Sequence, residues 1–143
     1  MIPVWLNIAI NEVGTCEFPG IESNPRIVEY LKSVTGDHDI TDSTPWCSAF
    51  LNWCFNQVNI SGANSLLGRS WLKWGRQIET PIMGCIVVLS SPFHVWGSHI
   101  GFWIIHSENS LLMLSGNSDN QVRFSLYNRS RVLGYRWPLF PNR

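Results

Sequence analysis

The hydrophobic period of this chain changes once, near Pro81, and that change restricts the fold more than any motif does. Upstream, apolar residues recur three and four apart. Val4, Trp5, Ile8, Ala9 and Val13 share a helical face with Asn7, Asn11 and Glu12 largely opposite, which predicts a helix over 3–13. Pro19-Gly20 breaks it, and Asn24-Pro25 supplies a cap and a first-turn proline for a short helix over 26–31. After a polar loop at 36–43, Trp46, Ala49, Phe50, Trp53 and Cys54 fall at i, i+3, i+4, i+7 and i+8, the stripe of a helix buried along one side. A fourth helical segment around Ser70-Trp71-Leu72-Lys73-Trp74 ends at Gly75.

Downstream of Pro81 the chain reads as strands over 85–89, 99–105, 111–115, 121–126 and 132–137, separated by Ser-, Asn-, Gly- and Pro-containing turns. Helices first and a strand meander after predict an α+β domain, with N-terminal helices packed on a C-terminal antiparallel sheet. A chain of 143 residues, 45% hydrophobic, suits one domain over 1–143. Neither internal repeats nor a low-complexity linker interrupts it.

Ten basic residues balance ten acidic ones, and no lysine- or arginine-rich stripe could follow a phosphate backbone, which argues against nucleic acid. The opening Met1-Ile2-Pro3-Val4-Trp5-Leu6-Asn7 has no basic leader and its apolar run is cut short, so no signal peptide is expected. No window reaches membrane-spanning length. Synthesis in the cytoplasm is therefore the expectation, with action outside it needing another delivery route.

Chemistry concentrates around Thr44-Pro45-Trp46-Cys47-Ser48. Thr44 is placed to cap the helix and Pro45 to occupy its first position. Cys47 then sits in the first turn, where unpaired N–H groups and the helix dipole favour a nucleophilic thiolate and can receive an oxyanion. A thiolate mechanism needs a proton shuttle, and His99, opening an apolar strand ahead of Gly101, is the preferred base. His94 lies in a loop, His38 precedes the helix in a polar segment, and the odd offset of His106 puts it on the face opposite His99. Two-residue alternation lines up Met113, Ser115 and Asn117, making Asn117 the favoured group to orient the imidazole, with Ser115 second and Asp119 a fallback.

Blander readings exist for each residue. A cysteine on an apolar helix is ordinarily a small core residue, and Asn117 beside a glycine is ordinarily turn chemistry. Most of the eight tryptophans belong to the core, with an exposed minority able to form a platform for sugar or peptide. Cys47 and Cys54 stand about 10 Å apart along one helix, beyond disulfide reach. Cys16 and Cys85 are open to being either buried thiols or a disulfide. No CxxC or other close ligand pair calls for a metal, and no cofactor is implied.

Pro45-Trp46-Cys47-Ser48-Ala49-Phe50-Leu51-Asn52-Trp53-Cys54, Ser70-Trp71-Leu72-Lys73-Trp74-Gly75, Ser98-His99-Ile100-Gly101-Phe102, Gly116-Asn117 and Leu133-Gly134-Tyr135-Arg136-Trp137-Pro138 resemble successive blocks of the CHAP and NlpC-like peptidoglycan hydrolases. Glu17-Phe18-Pro19-Gly20 and Asn24-Pro25-Arg26-Ile27-Val28-Glu29-Tyr30 extend the resemblance over nearly the full chain. It is greatest to small single-domain members from phages and to type VI secretion amidase effectors, antibacterial toxins that act in a rival's periplasm and are neutralised by an immunity protein. The resemblance implies a papain-like fold and a cysteine amidase or endopeptidase cutting wall stem peptides or crosslinks. By position it makes Cys47 the nucleophile, His99 the base and Asn117 the orienting residue; Trp46, Ser48, Trp71 and Ser115 are expected substrate contacts by proximity alone. Gly84-Cys85 stands where relatives usually carry Gly-Asp. The competing expectations are a non-catalytic wall-binding module and an acyltransferase on the same fold.

Overall fold

The computed structural model describes residues 1–37, 39–93 and 97–140. Three helices, α1 (Val4–Asn11), α2 (Pro25–Thr35) and α3 (Cys47–Asn56), precede the sheet, and a 3-10 helix (Gly68–Lys73) leads into it. The six strands are β1 (Arg76–Ile78), β2 (Ile86–Ser90), β3 (Ser98–His106), β4 (Ser110–Ser118), β5 (Gln121–Asn128) and β6 (Val132–Trp137). Their order across the sheet is β1-β6-β2-β3-β4-β5, all neighbours antiparallel. The expected mixed α+β architecture is present. Strand β1 was not legible, being three residues with no alternation of their own, fixed by pairing with β6. Among the described residues no helix is long and apolar enough to cross a membrane.

Helix α2 forms as its sequence dictates: the Asn24 side chain accepts the Arg26 N–H, Pro25 sits at the first turn, and Gly36 ends the helix at φ 67°. Helix α3 is different in kind. Every residue from Ser48 to Phe55 is buried, so it is a central helix covered on several sides and not one amphipathic stripe. Phe55 shows why, with ring centroids of Trp5, Trp71, Trp74 and Phe102 lying 4.9–5.8 Å away, so that both helical neighbours and the sheet close on it. Removing such a ring costs about 3–5 kcal/mol.

The sheet separates two apolar cores. Ile86, Val88, Ile100, Phe102 and Leu114 face the helices, while Val87, Leu89, Leu111 and Met113 face the other way against Trp103, Tyr127, Val132 and Tyr135. That second core is closed by curvature. Only Arg129–Arg131 separates β5 from β6, although four inter-strand spacings lie between them in the sheet. Four peptide steps span at most about 14 Å, whereas a flat sheet would set the strands about 19 Å apart. The sheet therefore curls until β5 and β6 meet across the inner face, which is why Tyr127 and Val132 share one cluster.

At the outer margin, residues 14–17 run beside the start of β5. Gly14 N–H donates to Val122 O (3.0 Å), Val122 N–H to Thr15 O (2.8 Å) and Glu17 N–H to Asn120 O (2.9 Å). All four cysteines are free thiols: Cys16 exposed, Cys54 and Cys85 buried, Cys47 between.

Candidate active site

Helix α3 begins at Cys47, two residues later than the sequence suggested, with Trp46 as its N-cap and no side-chain capping bond. Thr44 does not cap it; its N–H closes a turn onto Thr41 O instead. The start is set by tertiary contacts. The buried Trp46 ring donates its Nε1–H to Glu17 (2.9 Å), and Asp42 Oδ2 accepts the N–H groups of Phe18 (3.0 Å) and Asn24 (2.8 Å), tying the preceding loop down. Because an indole cannot serve as a cap acceptor, the first-turn N–H groups stay available. Those of Cys47 and Ser48 bear on the Cys47 sulfur, joined by the N–H of Ile100 from β3.

Ile100 can reach the sulfur because β3 and β4 part there. Their ladder starts at Phe102–Leu114, and Ser98, His99 and Ile100 pair only with β2, through Ser90, Leu89 and Val88. On β4 the register slips between Ser115 and Ser118, where Asn117 adopts φ 55°. Gly116 lies in that slip and touches α3: a Cβ there would stand 2.7 Å from the Trp46 ring and 2.8 Å from Phe50 Cβ. The helix N-terminus thus docks into a local opening of the sheet.

His99 borders the same opening. Its partner Leu89 belongs to the inner core, and its ring lies 5.5 Å from that of Tyr127, so the imidazole hangs on the inner side while the next residue's N–H meets Cys47. Nε2 is 3.0 Å from Ser115 Oγ. Nδ1 has no hydrogen-bond partner among the described residues. No hydrogen bond joins thiol and imidazole in this structure; what links them is the backbone, His99 preceding the Ile100 whose N–H bears on Cys47.

Burial governs the charge state. It raises the Cys47 thiol above its ordinary range despite the opposing N–H groups of Ser48, Ile100 and Cys47 itself. This reverses the expectation of a thiolate at rest, because desolvation outweighs the helix end. Burial, followed by the Arg131 charge, lowers His99 to about 4. Both groups are neutral at pH 7.

The other expected site residues fall out as follows. Trp46, Ser48 and Trp71 are not substrate contacts: all three are fully buried, and Ser48 Oγ donates to Ser65 O while accepting the Trp71 Nε1–H at 2.8 Å. Ser115, also buried, serves the imidazole and cannot touch substrate. Asn117 does not hold His99, because its left-handed backbone breaks the alternation that was to carry it onto that face. Asp119 instead pairs with Arg123 at 3.2 Å. A second register shift, between Trp103 and Ile105, turns His106 onto the same face as Trp103, whose ring it contacts at 5.4 Å, against the simple parity rule. His38, His94 and Trp96 lie outside the described residues.

Tyr127 and Arg131 were missed; their nearness to His99 follows from sheet curl, which leaves no local pattern. Among the described residues no group of three His, Cys, Asp or Glu side chains could hold a metal ion, and no described tryptophan is more than half-exposed. Three concavities lie elsewhere: about 530 Å³ beside Trp53, about 380 Å³ beside Trp74, and about 250 Å³ beside Leu126. No protein-family model matches the chain, and no curated protein matches it.

Proposed function

We propose that the chain is a papain-like cysteine amidase that cleaves peptide amides of peptidoglycan. The observation that carries this reading is the convergence of three backbone N–H groups on a helix-terminal thiol, one of them from Ile100, the residue that follows His99, whose Nε2 is held by Ser115. A held Nε2 leaves Nδ1 as the proton acceptor. In resting enzymes such contacts are commonly long and tighten when substrate binds.

In the proposed cycle His99 takes the Cys47 proton as sulfur attacks the scissile carbonyl. The first-turn N–H groups stabilise the oxyanion, and His99 returns the proton to the leaving amine. Water then hydrolyses the thioester. Peptidoglycan as substrate rests on the resemblance of the Cys47, His99 and Leu133–Tyr135 blocks to wall hydrolases. The same resemblance supports action in the periplasm after secretion or phage release, and neutralisation by an immunity protein.

Digestion of purified sacculi with wild-type and Cys47→Ala protein tests the proposal. Soluble muropeptides are expected from the wild type alone, and equal release by both would remove Cys47 from the chemistry. Mass spectrometry with a competing amine separates hydrolysis from acyl transfer. A wall-binding module has little support, since the described tryptophans are committed to packing.

A further inference from the structure

Arg131 occupies an unusual position for a cation. Its Nε donates to Ser90 O at 2.8 Å and its guanidinium carbon stands 5.4 Å from the centre of the Tyr127 ring. Tyr127 is held in turn: its hydroxyl lies 2.8 Å from Ser118 Oγ, which lies 3.0 Å from Ser125 Oγ. The same ring is 5.5 Å from His99. The side chain is half-buried, and among the described residues no carboxylate pairs with it: the ion pairs are Arg26 with Glu12 and Glu29, and Arg123 with Asp119.

An arginine fixed by a carbonyl and an aromatic face, with its terminal nitrogens unspent, is a preformed fork for a carboxylate. We propose that Arg131, across Tyr127 from His99, is a carboxylate subsite of the amidase, so that the substrates are peptides bearing a free carboxylate within a residue or two of the scissile amide. The inference rests on the amidase reading. Its reach follows from the shared neighbour, since both His99 and Arg131 contact Tyr127 and extended peptide advances about 3.5 Å per residue. It also gives the cation a role in the cycle. Unneutralised, Arg131 opposes a proton on His99. A carboxylate seated on it removes that opposition as substrate arrives, so the imidazole gains basicity only in the complex.

The experiment uses a synthetic stem tetrapeptide with its carboxylates free and the same peptide with them amidated. Turnover is measured with the wild type, Arg131→Gln and Arg131→Lys. In parallel, NMR follows His99 protonation in Cys47→Ala protein, with and without Arg131→Gln. Wild type is expected to favour the free acid at least about tenfold in kcat/KM, Arg131→Gln to lose that preference, and Arg131→Lys to keep only part of it. The free acid should raise His99 protonation in Cys47→Ala and leave it unmoved once Arg131→Gln is added. Equal turnover of acid and amide by the wild type would overturn the subsite while leaving the amidase standing. A carboxylate-dependent change at His99 without turnover of either peptide would keep the subsite and overturn the amidase.

Discussion

Gly116→Ala inserts one methyl group where the helix N-terminus meets the sheet. The new Cβ would lie 2.7 Å from Trp46 Cζ3, 2.8 Å from Phe50 Cβ and 2.9 Å from Trp46 Cε3, against 3.4–4 Å for ordinary contact. Trp46 and Phe50 are both fully buried, so neither can retreat into solvent. Overpacking of this kind costs about 1–3 kcal/mol, and the unyielding surroundings favour the upper half of that range. For a domain of this size the loss corresponds to about 5–10 °C in Tm, read by thermal and denaturant unfolding. The clashing atoms belong to the benzo ring of the indole, which phenylalanine lacks. Trp46→Phe should therefore relieve part of the strain, and the double-mutant cycle should show at least about 1 kcal/mol of favourable coupling. A Gly116→Ala protein within about 0.5 kcal/mol of wild type, or an additive cycle, would refute the packing described at this seam.

Replacing the imidazole's partner tests which residue orients it: Ser115→Ala should lower kcat/KM on sacculi about 10–100-fold with little change in KM, whereas Asn117→Ala should leave the rate within about threefold, and the reverse order would reinstate Asn117. Alkylation of Cys47, read by mass spectrometry on its own peptide, should rise steadily from about pH 6 to about pH 9, because burial favours the thiol; a flat rate across that range would reveal a resting ion pair. Stability carries the complementary sign. His99 is lowered from its ordinary 6.5 to about 4, so the unfolded chain takes up a proton first and stability falls as pH drops through that interval. His99→Gln should flatten the decline.

The period change at Pro81 announced helices followed by strands, and the Asn24-Pro25 cap located the start of α2, which runs on to Thr35, four residues past the expected end. Such features are local, and so they are legible. Cys47 and His99 could be singled out as candidates because a helix start and a strand start carry residue signatures. What joins them could not. Parity along β3 and β4 is broken at Trp103–Ile105 and at Ser115–Ser118, and each slip reassigns a side chain: His106 joins Trp103, and Asn117 yields to Ser115. The thiol's charge state was misjudged because a sequence shows the helix end but not the depth at which it is buried. Trp46 and Trp71, suggestive by position, turned out to be the packing that sets where α3 begins.

The short run of chain along the margin of β5 bears on how the molecule behaves in company. An outer strand with vacant amides invites a neighbouring copy to add itself, the route by which native proteins stick together. Here Thr15 O accepts the Val122 N–H while the N–H groups of Gly14 and Glu17 donate to Val122 O and Asn120 O, all within the same molecule at the end of β5 nearest the Asn120 turn. Farther along, Arg123 and Arg129 stand in or just past the strand, each tied back to its own chain. The segment that trails the first helix therefore acts as a built-in selvedge for that end of β5, where the strand's margin is already taken.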